Sequence, residues 1–84
     1  MNGPTESPAH IASLVVRARP EAAVAVANRI AAAPDAEVHA VEDGKIVVVI
    51  ESASERGLAD RMDELRAEPG VLFVNLVYHQ VDTP

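Results

Sequence analysis

The 84-residue sequence contains no cysteine, so it can form neither a disulfide framework nor a metal site built from thiolates. Aromatic residues are scarce as well, because Phe73 and Tyr78 are the only two. Lysine and arginine number 7 against 13 aspartates and glutamates, which gives a formal net charge of −6. This acidic balance disfavours nucleic acid and anionic membranes as partners, and it favours a basic peptide or protein.

The sequence also lacks a run approaching the ~18–20 consecutive apolar residues of a membrane helix. Its first eight residues have neither the basic nor the apolar region of a secretory signal, so we expect a cytoplasmic protein. The hydrophobic fraction of 49% with 24% charged residues is typical of one small globular domain. We expect a disordered lead over residues 1–9, a folded domain over residues 10–80 and a short tail over residues 81–84.

Strand-like and helix-like segments alternate along the chain in the order βαββαβ. Strands are predicted over residues 10–18, 37–41, 45–51 and 71–80, and helices over residues 20–33 and 52–68. Asp43-Gly44 predicts a tight hairpin turn, and Ser52 with Glu55 forms a capping-box pattern for the second helix. This order predicts an α+β, ferredoxin-like βαββαβ sandwich, with a four-stranded antiparallel sheet and both helices on one face. The first and third strands, which have the densest valine and isoleucine content, would then be central.

Alternate residues along the predicted strands divide between a core face and a face that neither helix covers. The counting assigns to the uncovered face Ile11, Ser13, Val15, Arg17, His39, Val41, Val47, Val49, Phe73, Asn75, Val77 and His79. It assigns to the core, among others, Ala40, Leu72, Leu76 and Tyr78. An apolar patch of this extent usually marks an interaction site. Face-to-face dimerisation, a bound peptide or helix, and plain exposure all remain open.

Catalytic and metal chemistry find little support in the sequence. His10 and His79 should lie close together if the first and last strands are antiparallel neighbours, but two imidazoles do not complete a metal site. The sequence has no glycine-rich phosphate loop and no evident nucleophile–base pair, so we expect no enzymatic activity and no cofactor. An RNA-recognition domain would need more sheet aromatics and a basic surface. A small-molecule-sensing regulatory domain acting as a sheet-to-sheet dimer remains the alternative function.

Three segments of the predicted strands carry a more specific signal: Ser13-Leu14-Val15-Val16, Ile46-Val47-Val48-Val49 followed by Glu51, and Gly70-Val71-Leu72 with Leu76-Val77-Tyr78-His79-Gln80. These segments resemble the NapD family of cytoplasmic assembly chaperones for the periplasmic nitrate reductase. The resemblance extends over about residues 10–80, and the ending L-V-Y-H-Q is its most specific element.

The resemblance implies the same fold and a chaperone that binds the twin-arginine signal peptide of the molybdenum-containing catalytic subunit. Binding would hold the precursor back from export until its cofactors are loaded, with the peptide lying helical on the uncovered sheet face. The expected peptide-binding residues are Ile11, Ser13, Val15, Val47, Val49, Glu51, Phe73, Asn75, Val77 and His79. Among them, Glu51 is the carboxylate that we expect to meet an arginine. We expect no nucleic acid partner and no stable membrane insertion, and a weak homodimer stays open.

Overall fold

A computed structural model of the chain describes residues 9–82, which form a four-stranded sheet and two helices. The strands are β1 (Ala9–Ala18), β2 (Ala36–Glu42), β3 (Lys45–Ser52) and β4 (Val71–Asp82). The helices are α1 (Ala23–Ala31) and α2 (Glu55–Arg66), and a 3-10 turn at Pro20–Ala22 precedes α1. The predicted order βαββαβ is confirmed. The sheet extends one residue before the predicted domain and two residues beyond it. The rest of the predicted lead and tail, residues 1–8 and 83–84, lies outside the described residues.

The sheet is antiparallel throughout, in the order β2-β3-β1-β4. β1 and β3 are therefore the central strands, as their apolar content predicted. They pair without interruption from His10 opposite Ser52 to Arg17 opposite Lys45. β2 and β4 form the two edges, and each is interrupted by at least one bulge against its neighbour.

One face of the sheet carries the core. Alternate residues of β1 and β3 point to this face and are fully buried, and both helices pack on it through one apolar stripe each. The members with no more than 2% exposure are Ala12, Leu14, Val16, Ala18, Val26, Ile30, Ile46, Val48, Ile50 and Leu65. Because both helices belong to this one cluster, the opposite face of the sheet has no covering layer within residues 9–82. The ferredoxin-like α+β architecture is confirmed.

Two glycine-containing turns bring the ends of the elements close together. Asp43 and Gly44 both have positive φ, 51° and 79°, which is the geometry of the predicted two-residue hairpin between β2 and β3. Gly70 has a φ of 91°, and a Cβ there would lie 2.9 Å from the Cβ of Ala22. The Arg19 N–H donates to the Gly70 carbonyl over 2.9 Å, so the turn before β4 packs directly against the start of the first helical segment.

The start of α2 differs from the capping-box prediction. Ser54 is the N-cap, and its hydroxyl accepts a hydrogen bond of 2.9 Å from the Gly57 N–H. Ser52 remains part of β3, because its extended backbone still pairs with His10. Its hydroxyl instead accepts from the Ser54 N–H over 3.3 Å, which orders the connection into the helix. Neither helix in residues 9–82 combines the length and apolarity needed to cross a membrane.

Candidate binding site on the open sheet face

The face opposite the helices, called here the open face, has an apolar centre built from β1 and β3. Val15 lies opposite Val47, and Ser13 lies opposite Val49 in the antiparallel register. Ile11, one step further along β1, lies opposite Glu51. Side chains opposite one another project on the same side of a sheet, so these residues form one surface. The structure thus places all six on the open face, and the apolar ones are half-buried by their neighbours alone. Their contact with a peptide stays a prediction.

β4 completes the open face, but only its first half follows the predicted alternation. Phe73 lies opposite Arg17 and Asn75 lies opposite Val15, which confirms their predicted face. The register then shifts between Ser13 and Leu14, and Val77 is the extra residue of a bulge. Val77 is 64% exposed at this irregularity and has no partner in the β1 register.

Beyond the bulge, the two sides of β4 exchange. Tyr78 lies opposite Ser13, and it is therefore on the open face instead of in the core. His79 lies opposite Ala12, a fully buried residue, so its predicted position on the open face is wrong. One inserted residue is the physical reason, because side chains alternate with a period of two along a strand. Gln80, opposite Ile11, joins Tyr78 as an open-face residue that the pattern missed.

β2 shows the same effect. Its register against β3 shifts between Val38 and Ala40, which leaves His39 as the bulged residue. Ala40 therefore lies opposite Val47 on the open face, whereas it was predicted in the core. Val41, predicted on the open face, lies opposite the buried Ile46. Leu72 and Leu76, two further members of the predicted core, are 56% and 47% exposed along the edge strand β4.

Carboxylates surround a cavity of about 400 Å³ at one end of the open face. Its lining residues are Ile11, Pro34, Asp35, Ala36, Glu37, Val49 and Glu51. Ile11 and Val49 supply apolar surface, and Glu51 and Glu37 are exposed at its rim. The Glu51 N–H donates to the Asp35 carbonyl over 2.9 Å, which holds the end of β3 against the start of β2. The cavity therefore joins apolar surface to negative charge.

Asp35 differs from the other two acids because its charge is already compensated. Arg61, on α2, donates from Nε to Asp35 Oδ2 over 2.8 Å and from a terminal nitrogen to Glu64 over 3.0 Å. The hydrogen bond to Asp35 is the main cause of a raised pKa for the Arg61 guanidinium. The Glu37 carboxylate lies 2.9 Å from the imidazole of His39, and it forms no ion pair with a lysine or arginine among residues 9–82. Glu51 has no cation within ion-pair distance among residues 9–82, so it is the acid most available to a ligand.

The other end of the open face carries basic residues. Arg17 and Lys45 lie opposite each other at the last paired position of β1 and β3. Arg17 donates to the Asp43 carbonyl over 2.9 Å, which directs it toward the hairpin turn. The face therefore has an acidic end, an apolar centre and an end of mixed charge, since Glu42 lies opposite Lys45. A ligand with a basic segment followed by an apolar segment would meet carboxylates without opposing arginine or lysine only at Glu51 and Glu37.

The two histidines at the end of β1 and β4 are close together, as predicted. His10 Nδ1 lies 3.1 Å from His79 Nε2, and the ring centroids are 5.3 Å apart in a stacked arrangement. One ring donates and the other accepts, so the pair is satisfied internally. Over residues 9–82, no three His, Asp or Glu side chains are grouped so that they could hold a metal ion. The pair lies on the helix side of the sheet, away from the open face.

Comparison with known protein families gives one consistent result. The family model described as NapD protein matches residues 9–83. A protein named Chaperone NapD from Paracoccus pantotrophus is 40% identical over 72 residues, which cover 86% of this chain and 64% of that protein. Chaperone NapD from Escherichia coli K12 is 38% identical over 73 residues, covering 83% of each protein. The chain thus spans a little under two thirds of the Paracoccus protein and most of the E. coli one.

A solved structure agrees with the sequence matches. The solution structure of the E. coli Tat proofreading chaperone protein NapD superposes with a TM-score of 0.78 at 34% sequence identity. The superposition covers 86% of this chain and 78% of that one. The two proteins therefore share the fold of a four-stranded antiparallel sheet with two helices.

Proposed function

The chain belongs to the NapD family, whose named relatives are chaperones, and from this premise we propose that it binds a twin-arginine signal peptide in the cytoplasm. The client is the catalytic subunit of a periplasmic nitrate reductase. Occupation of its signal peptide by the chaperone delays export while the cofactors are loaded. The protein acts by binding and carries out no chemical step.

The open face is the observation that carries this proposal. It leaves Ile11, Val15, Val47 and Val49 uncovered across the two central strands. Burial of such apolar surface against a partner stabilises the complex by roughly 25 cal/mol for each Å² removed from water. A peptide that folds into an amphipathic helix can lay its apolar side along such a surface. Phe73 and Tyr78 stand at the β4 side of the surface and can flank the bound helix.

The charge distribution on the face supports a basic ligand and gives it a direction. Arginine stems can lie on Ile11 and Val49 while the guanidinium groups reach the carboxylates of Glu51 and Glu37. Carboxylate–guanidinium hydrogen bonds are among the stronger polar contacts in proteins. The paired arginines therefore lie at the acidic end, and the apolar part of the peptide extends over the centre of the face.

Calorimetric titration with a twin-arginine signal peptide from a nitrate reductase catalytic subunit tests the proposal. We expect binding that weakens when both arginines are replaced, because Glu51 and Glu37 lose their partners. We also expect Val49→Asp to abolish binding, since it puts a desolvated charge beneath the apolar side of the peptide.

Val24→Asp is the matched control for Val49→Asp. Val24 is 67% exposed on α1, on the other side of the sheet, so this variant should bind the peptide as the unmodified protein does. Circular dichroism checks that both variants are folded. Unchanged affinity in folded Val49→Asp would refute the open-face site, and no binding by the unmodified protein would refute the proposed function.

A further inference from the structure

The β4 edge of the sheet exposes large apolar side chains on both of its sides. The exposed members, 46–64% accessible, are Leu72, Phe73, Leu76, Val77, Tyr78 and Val81. Leu76 and Val81 lie opposite Leu14 and His10, on the side that the helices occupy. A ligand on the open face can contact Phe73 and Tyr78, but it does not reach Leu76 or Val81. The apolar edge therefore extends beyond the proposed peptide site, with which it shares Phe73, Val77 and Tyr78.

The two edges of the sheet differ in how they are protected. Both edge strands have bulges, but β2 also carries charge at Glu37 and Glu42 within its seven residues, which discourages pairing with another strand. Residues 71–81 of β4 contain no lysine, arginine, aspartate or glutamate. β4 is also the longest strand, with 12 residues, so its outer backbone N–H and C=O groups offer an extended template for pairing.

We propose that β4 pairs with β4 of a second copy of this chain, antiparallel about a twofold axis. Two copies with a charge of −6 each repel one another over most of their surfaces. The uncharged β4 edge is a place where they can approach without opposing carboxylates. A basic segment of a client gains no ion pair along residues 71–81, because this stretch has no carboxylate and the acids of the open face lie on β2 and β3.

Symmetry makes the contact self-complementary. In a twofold arrangement each exposed apolar residue of β4 faces the same set of residues in the partner, on both sides of the joined sheet. Pairing through β4 gives a continuous sheet of eight strands whose two outer edges are the β2 strands. Because β2 is charged, no further copy adds to the sheet, and the assembly ends at two copies. Both open faces stay uncovered, so this inference is independent of the proposed peptide site.

Sedimentation equilibrium over a wide concentration range tests the proposal. We expect the mass to rise from 8.9 kDa toward twice that value. Leu76→Lys should raise the dissociation constant of the dimer at least about tenfold, because each copy then brings a charged side chain into an apolar contact. Leu72→Lys at the other bulge of β4 is a second variant, and Val24→Lys on α1 is the matched exposed-site control.

Hydrogen exchange locates the contact. The amides of β4 that point away from β1 should become protected as the protein concentration rises. A protein that stays at 8.9 kDa up to about 1 mM would overturn the proposal. So would a dimer that is insensitive to both lysine variants, or one that Val49→Asp disrupts, since the latter would be a face-to-face dimer. Protection of β4 only upon addition of signal peptide would instead assign the edge to the client.

Discussion

Tyr78 and His79 are neighbours in the chain but lie on opposite sides of the sheet. Tyr78 faces outward beside Ser13 on the open face, and its hydroxyl lies 3.4 Å from the Gln80 amide oxygen. His79 lies opposite Ala12 and pairs with His10. A tyrosine with an exposed ring and a polar tip is well suited to contacting a bound peptide. His79 is already engaged within the protein.

Substitution of these two neighbours should therefore have different effects. We expect Tyr78→Ala to weaken signal-peptide binding about three- to tenfold, because truncation of an aromatic contact costs on the order of 1 kcal/mol. His79→Ala should leave the affinity unchanged but lower the free energy of unfolding by about 1 kcal/mol, through loss of the hydrogen bond to His10. Titration calorimetry and urea denaturation measure the two quantities. The opposite pattern would mean that β4 has no bulge at Val77.

Glu51 and Asp35 are neighbouring carboxylates, but only Asp35 forms an ion pair among the described residues. Both line the acidic cavity, and their backbones are joined by a hydrogen bond. Arg61 on α2 donates a hydrogen bond to the Asp35 carboxylate, so this carboxylate is already engaged in holding α2 to the loop before β2. Glu51 was predicted as an arginine contact from its place at the end of β3, and it stays a prediction. Its lack of a cation among the described residues adds a physical reason that the sequence did not contain.

At the scale of the elements, the central strands could be predicted residue by residue and the edge strands could not. β1 and β3 alternate strictly, because each is held between two neighbours and must keep its register. In β4, Leu76-Val77-Tyr78 is apolar at every position, so either alternation fits the sequence. The bulge at Val77 decides between them, and bulges depend on sheet twist and neighbouring strands. His39 in β2 has the same effect on Ala40 and Val41.

The start of α2 provides a test of local structure. We expect Ser54→Ala to lower the free energy of unfolding by about 1 kcal/mol, because the Gly57 N–H loses its side-chain acceptor at the helix N-terminus. Ser52→Ala should cost less, since its longer contact of 3.3 Å serves the connection instead of the helix end. Urea denaturation of both variants gives the comparison. A larger loss for Ser52→Ala would restore the capping-box assignment to Ser52 and Glu55.

At the scale of the whole molecule, the fold accounts for the separation of surfaces. Both helices cover one face of the sheet, the other face remains available to a ligand, and the β4 edge remains available to a second copy. The placement of both helices on one face followed from the order of the elements and right-handed crossovers, whereas the exposed β4 edge was not predicted. The net charge of −6 then acts on both surfaces, since it attracts a basic peptide and keeps copies apart except where charge is absent.

Salt should therefore weaken the proposed peptide contact without weakening the proposed dimer contact. We expect peptide affinity to fall several-fold between low and high salt, because the exposed acids at Glu37 and Glu51 are screened within about 10 Å at 0.1 M. The dimer should be unaffected or strengthened, because screening reduces the repulsion between two acidic copies. Calorimetry and sedimentation at matched ionic strengths measure both. Peptide affinity that is flat across the salt range would argue against arginine contacts with these carboxylates.

The central position of β1 also governs how the domain forms during synthesis. β1 is the first of the four described strands to be synthesised, yet its two neighbours are β3 and β4, and Ala9 pairs with Asp82. Contacts this distant in sequence carry a loop-closure cost that slows folding. A nascent chain that stops before residue 71 has β1 unpaired along one side. Under the proposed function, the open face, built largely from β1, β3 and β4, would therefore be complete for a client only when translation has passed β4.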